Sequence, residues 1–506
     1  MVRTEEFLEV DWIKRWAQYA PESVAIESVD QNVTITYLEL HQKVGVTASF
    51  LQHEYEIEAG DRVAVLSMNR YEYIVLFFAL QKLGAILLPL NYRLAAPELA
   101  YQLEDATPSL LIHEEDYEAT VKKTEFDGQI IQFDAFINGC DKHEQPKAVT
   151  FAGHFEYTCK ILYTSGTTGR PKGAIITNKM LFWNSINTGL RLNLTQQDVI
   201  LTFAPFFHTG GWNVLTTPIL HRGGKVVLLK KFEPDQVLEL CAKYKVSVLF
   251  GVPTMMAMLA DEASFENTDL SSIRYAIVGG EPMPIPLIEK WHHKGVPVRQ
   301  GYGLTEFGPN VFSLNEEDAI RKKGSVGFAN FYIDTKIVND DGKEVQIGEV
   351  GELWLKGPVC TEGYWNNPNA TQETIEQGWL KTGDLVRKDE EGYFFIVDRK
   401  KDMFISGAEN VYPAEIEQLL VKHKNVKEVA VIGVPDETWG EVGMAFVVTE
   451  FGELTSDELS SYCKEHLAKF KVPKHFVFMV ELPKSDTGKI QKKTLKEYIN
   501  QNKSFN

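Results

Sequence analysis

Apolar residues at Tyr37, Leu40, Val44, Ala48 and Leu51 mark one face of a helix, and Thr36 with Glu39 supplies a capping-box pattern at its start. Shorter segments then alternate in character: strand at 62–66, helix at 72–83, strand at 85–88, helix at 97–105 and strand at 109–112. The alternation resumes with strands at 225–229 and 246–250 on either side of a helix opened by Pro234. Further strands at 275–278 and 296–300 run straight into Gly279-Gly280 and Gly301-Tyr302-Gly303. Such a pattern predicts mostly parallel sheets covered by helices, with ligands gathering at the carboxyl ends of the strands. From about Ser325 the texture becomes β: 332–338, 351–356 and 393–397 read as hairpin-connected strands. A charge run, Asp398-Arg399-Lys400-Lys401-Asp402, interrupts it. Beyond lie a helix at 413–423, a hairpin over 429–448 turning at Pro435-Asp436, a helix at 456–468 and a strand at 476–479.

The fold class is therefore α/β: a large N-terminal domain over 1–397 with a β-rich part from about 325, a hinge at 398–402 and a small α+β domain over 403–506. A chain of 506 residues is too long for one core of ordinary size. The 44% hydrophobic and 24% charged residues are those of a globular protein. A net charge of −18 argues against nucleic acid or an anionic membrane as partner. Any anionic substrate must then meet a local basic site, and the stretch from Lys469 onward has nine lysines against three acids, though a solvated face would look the same. The longest apolar run, 73–80, falls well short of the roughly 20 residues that span a bilayer. Five scattered cysteines give no paired spacing, which together with the absence of a signal-peptide pattern points to a reducing, cytoplasmic setting.

Candidate chemistry begins at Tyr163-Thr164-Ser165-Gly166-Thr167-Thr168-Gly169-Arg170-Pro171-Lys172-Gly173, flanked by apolar runs. Glycines let backbone N–H groups converge on an anion, and hydroxyls and cations stand beside them, so the stretch reads as a polyphosphate cradle or, on composition alone, as a linker. Lys172 is followed by Gly173 and not by Ser or Thr, which excludes a Walker A loop.

This loop resembles the signature of the adenylate-forming superfamily, in particular stand-alone acyl-CoA synthetases. Further motifs follow in that family's order over nearly the whole chain. In Gly301-Tyr302-Gly303-Leu304-Thr305-Glu306 the resemblance implies that Tyr302 packs on adenine, Thr305 contacts the α-phosphate and Glu306 holds Mg2+. Thr382-Gly383-Asp384, by itself equally an ordinary turn, would place Asp384 on the ribose. The charge run implies a hinge pivoting at Lys401, with Arg399 on the ribose and Gly407 entering the CoA tunnel. Lys489, within 482–490, is the implied catalytic cation, and Thr164 to Gly169 with Lys172, Gly280, Glu281 and Gly303 would complete the nucleotide site. His208, Trp212, Val252 and Gly279 fall where relatives line the acyl pocket, while Asn178 replaces the histidine usual in them.

The resemblance implies a ligase that uses ATP and CoA as co-substrates and Mg2+ as cofactor, with a medium- or long-chain fatty acid as the acid. Aryl or o-succinylbenzoate-type CoA ligation, a stand-alone adenylation enzyme loading a carrier protein, and a non-catalytic nucleotide-binding protein stand as alternatives. A monomer or homodimer is anticipated.

Overall fold

The computed structural model describes residues 10–143, 154–164, 170–406, 409–436, 438–449, 454–485 and 488–501, with the side chains of 500 and 501 excepted. Of the anticipated site residues, Ser165, Gly166, Thr167, Thr168, Gly169 and Gly407 lie outside these.

Two large sheets share a helical layer. One has six strands in the order Gln129–Gln132, Leu110–His113, Arg62–Leu66, Ile86–Pro89, Thr158–Thr164 and Lys172–Thr177, parallel except for the last, antiparallel pair. The other has nine, and its central strands Val298–Tyr302, Tyr275–Val278, Val248–Gly251, Val199–Thr202, Lys225–Leu228 and Val24–Ser28 are parallel. Between the sheets runs helix Tyr71–Leu83, buried on nearly every side. That accounts for the long apolar run: a helix with no solvent face has no polar stripe to show. Helix Tyr37–Glu54 forms with its capping box intact, and its five predicted core residues are all 0 or 1% exposed.

A five-stranded antiparallel sheet follows, including Val350–Lys356, Trp379–Lys388 and Phe394–Arg399. Its residues Leu353, Leu355 and Leu380 point inward to a separate core with Phe307 and Phe312. The last sheet, with Phe404–Ser406, Val426–Asp436, Gly440–Thr449 and His475–Phe478, has both faces covered. Val429, Val431 and Val447 meet helices Pro413–Leu420 and Ser456–His466 on one side, whereas Ile432 and Phe446 meet Leu482 and Leu495 on the other. The hairpin turns later than the sequence suggests. Asp436 still pairs with Gly440, because its carboxylate accepts the N–H groups of Thr438 and Trp439 and thereby moves the turn beyond it. Among the described residues, no helix is long and apolar enough to cross a membrane.

Candidate functional site

Three adjacent parallel strands, Val248–Gly251, Tyr275–Val278 and Val298–Tyr302, end side by side. Their carboxyl ends deliver Val252, Gly279-Gly280-Glu281 and Tyr302-Gly303 to one place, as the sheet topology requires. A Cβ on Gly280 would lie 3.5 Å from Val252 Cγ1 and 3.5 Å from Lys489 Cε, so the lysine of the last sheet's unit reaches the strand ends of the nine-stranded sheet. A Cβ on Gly279 would face the Gly301 carbonyl at 3.5 Å. Gly303 permits no side chain at all, since a Cβ would sit 1.3 Å from the Pro309 oxygen. Thr305 opens the 3-10 turn Thr305–Phe307 and is 8% exposed; Leu304, not Thr305, holds the capping position.

Glu306 stands where the hydroxyl-rich hairpin meets the β-rich sheet. Its Oε1 accepts the Tyr364 hydroxyl at 2.9 Å and the Thr164 hydroxyl at 3.4 Å. Thr164 and Lys172 are cross-strand partners at the mouth of the hairpin, and the Lys172 ammonium lies 5.2 Å from the Tyr364 ring. Both ends of the proposed phosphate loop are thus beside Glu306. Tyr364 was not singled out from the sequence: 58 positions from Glu306, it looks like any half-buried aromatic residue.

Asp384 lies within strand Trp379–Lys388, which corrects the reading of Thr382-Gly383-Asp384 as a turn. The strand accommodates Gly383 at a left-handed φ of +68°. Asp384 is 3% exposed, accepts the Tyr302 hydroxyl at 2.5 Å, and pairs at 2.6 Å with Arg399, its cross-strand partner. Burial raises its carboxyl above the ordinary value, and Arg399 and the Tyr302 hydroxyl oppose that. Burial likewise lifts the Tyr302 hydroxyl far above its usual range, so it remains a donor.

Lys489 is pulled below the ordinary lysine value, chiefly by burial, while Glu281 opposes this. Glu281 is raised, again first by burial and against the field of Lys489. His208 is pushed down to about 4 by burial and then by the Lys489 charge, which makes it neutral at pH 7. Its Nδ1 accepts the Gly210 N–H at 3.2 Å, so the proton belongs on Nε2. Trp212 departs from the acyl-pocket expectation. It is 0% exposed, stacks on Phe206 at 4.3 Å and belongs to the main core with Tyr73 and Phe77. A cavity with room for about one water is lined by Phe203, Ala204, Gly210, Leu215, Thr216 and Phe250. The sequence does not announce this lining, because residues from separate strands and helices share no local pattern.

Lys401 sits in the turn after Arg399, whose carbonyl accepts the N–H groups of Asp402 and Met403. Asn178 is buried and structural, accepting from Gln81 and donating to the His154 carbonyl. The lysine-rich end is partly neutralised: Lys471, Lys474, Lys484 and Lys492 pair with Glu415, Asp436, Glu428 and Glu417.

Among the described residues no three His, Cys, Asp or Glu side chains gather into a cage. One carboxylate flanked by the Thr164 and Tyr364 hydroxyls fits Mg2+, which takes few protein ligands and completes its shell with water and phosphate oxygens.

The profile described as AMP-binding enzyme matches residues 13–365, and that described as AMP-binding enzyme C-terminal domain matches 415–489. Feruloyl-CoA synthase from Amycolatopsis is 38% identical over 95% of this chain and 97% of its own. A 2-succinylbenzoate–CoA ligase from Bacillus thuringiensis is 37% identical over 97% of this chain and 98% of its own. Among solved structures, o-succinylbenzoate CoA synthetase from Bacillus subtilis in complex with its acyl-adenylate intermediate superposes with a TM-score of 0.88 at 34% identity, covering 96% of this chain and 98% of that one.

Proposed function

The chain belongs to the AMP-binding enzyme family and is an AMP-forming acid–thiol ligase, and from that premise we propose that its acid is an aromatic carboxylate and that the residues gathered at the strand ends divide the reaction as follows. The acid's carboxylate, ionised at pH 7 without a general base, attacks the α-phosphorus of ATP; the bond to the bridging oxygen breaks and pyrophosphate leaves. The sulfur of CoA then attacks the acyl carbon of the mixed anhydride, losing its proton, and AMP leaves.

In the first step charge accumulates on phosphate oxygens, so stabilisation is electrostatic. Lys489 lies against Gly280, where it would meet the α-phosphate together with Thr305. The hairpin from Thr164 to Lys172 would take the departing phosphates. Asp384 and Arg399 would hold the ribose, with Tyr302 against the base. Mg2+ on Glu306 would neutralise phosphate charge. Neutral His208 would turn its Nε2–H to an oxygen of the acid.

One observation carries this reading: Lys489, from the unit built on the last sheet, places its Cε 3.5 Å from where a Cβ on Gly280 would stand, and its charge acts on Glu281. An aryl acid is favoured over a fatty acid by the acids in the relatives' names, ferulate and succinylbenzoate. The test is a pyrophosphate-release screen over hydroxycinnamates, benzoates, 2-succinylbenzoate and fatty acids of graded length, with the CoA thioester identified by mass spectrometry. Turnover confined to fatty acids would overturn the aryl assignment, and acyl transfer only to a carrier protein would overturn CoA.

A further inference from the structure

Between the antiparallel five-stranded sheet and the last sheet the chain crosses once, over 400–403. On the near side it is fastened: Arg399 to Asp384, Lys400 Nζ to Asp340 at 2.9 Å and Glu352 at 3.2 Å, and the Lys400 N–H to the Gly383 carbonyl. On the far side the Ile405 N–H donates to Glu441 at 3.0 Å. Apart from this covalent link, the last unit must be held in place by contacts.

One of these comes from a carboxylate the catalytic reading does not use. Asp398, near the end of strand Phe394–Arg399, is 7% exposed. Its Oδ1 accepts the Arg399 N–H at 2.7 Å, whereas its Oδ2 crosses to the Ala414 N–H at 2.9 Å, in the first turn of helix Pro413–Leu420. Three positions beyond Lys489, Lys492 opens the helix Lys492–Gln501 and pairs with Glu417 of that same helix Pro413–Leu420 at 2.8 Å. The other end of this arrangement is fixed too, since Glu417 accepts the Val431 N–H at 2.7 Å. Burial draws Lys492 down, but the fields of Glu417 and Asp398 outweigh it and leave the ammonium above its ordinary value. Burial raises Asp398, and Lys492 and the Ala414 N–H counter this. A shielded carboxylate stays ionised only while such partners remain.

We propose that Asp398 is a positioning residue, a clamp across the single chain crossing that holds helix Pro413–Leu420 and, through the Glu417–Lys492 pair, the Lys489 segment against the strand ends. Withdrawal of the small unit deprives Asp398 of the Ala414 donor and of the Lys492 field, so the clamp biases the population toward the arrangement with Lys489 inserted. The consequence for catalysis rests on the role given to Lys489 above; the clamp itself does not.

Asp398→Asn and Lys492→Met test it in the full-length enzyme. Each is expected to lower acid-dependent pyrophosphate exchange about tenfold while leaving thioester formation from supplied acyl-adenylate unchanged or faster. In parallel, trace acetylation with acetic anhydride, read lysine by lysine by mass spectrometry, is expected to label Lys489 several-fold faster in both variants than in the parent. Equal loss of both half-reactions, or Lys489 labelling at the parental rate, overturns the clamp. Faster labelling with undiminished exchange would uphold the clamp and remove Lys489 from the first half-reaction. Should Asp398→Asn fail to fold, Lys492→Met gives the same two readouts.

Discussion

Lys160 is a lysine with no exposed surface, on the strand that leads into the hydroxyl-rich hairpin. Among the described residues its ammonium has one hydrogen bond, to Asn213 Oδ1 at 3.0 Å, and lies 4.5 and 4.6 Å from the rings of Phe77 and Trp212. Burial pushes it down from 10.5 to about 7. Between these two values the unfolded chain holds a proton that the folded chain has released, so stability rises with pH across that window. Below about 7 both states are protonated and the full cost of the buried cation is felt. Lys160→Met, which keeps the chain's length and sheds its charge, is therefore expected to stabilise by roughly 2–4 kcal/mol at pH 6–7 and to flatten the rise. Parallel stability–pH curves from chemical denaturation of the two proteins, at pH 6 to 10, would refute this. The sequence gives no hint of such a residue, because a lysine between apolar neighbours on a strand alternates as an outward-facing one would.

Elements defined by local chemistry were the legible ones. Thr36 and Glu39 cap helix Tyr37–Glu54 reciprocally, Thr36 Oγ1 accepting the Glu39 N–H at 3.2 Å and Glu39 accepting the Thr36 N–H at 2.8 Å. Thr36→Ala should cost about 1 kcal/mol and Thr36→Ser almost nothing, seen as a lowered first thermal transition in the former alone; equal transitions in both would mean that the cap is redundant with packing. Helix Asn178–Arg191 shows the opposite case. It buries Asn184, Ser185, Asn187 and Thr188, so its inner face looks polar and no apolar stripe announces it. Asn184 donates to the Asn213 carbonyl and accepts from the Asn310 N–H, satisfying inside what a sequence pattern assigns to solvent. The site divides in the same way. Tyr302, Glu306, Asp384 and Lys489 stand in recognisable strings, whereas Tyr364 matters only through partners brought by tertiary structure, and Asp398, legible as part of the charge run, gains its bond to Ala414 only in the fold.

At the scale of the whole molecule, a chain with net charge −18 gathers Glu281, Glu306 and Asp384 around Tyr302 and its neighbouring strand ends, where the proposed substrate is itself a polyanion. The opposing cations come from three places: Lys172 on the hairpin, Arg399 at the end of the antiparallel sheet and Lys489 from beyond the crossing. Of the three, Lys489 lies outside the named strands, between His475–Phe478 and helix Lys492–Gln501. With Lys489 in place these three cations balance the three carboxylates, and under the proposed reading movement of the unit that carries Lys489 would withdraw one positive charge when the thiol must enter. Lys489→Ala is expected to lower acid-dependent pyrophosphate exchange by about 10²–10³-fold, as removal of one preorganised donor does, and to leave thiolysis of supplied acyl-adenylate near the parental rate. Lys401→Pro, which stiffens the crossing while the inserted arrangement stays available, should do the reverse: exchange persists and thioester formation slows. Two variants that lost both half-reactions in equal proportion would show that the crossing and the cation serve a single rigid site, and a charge that comes and goes would have to be abandoned.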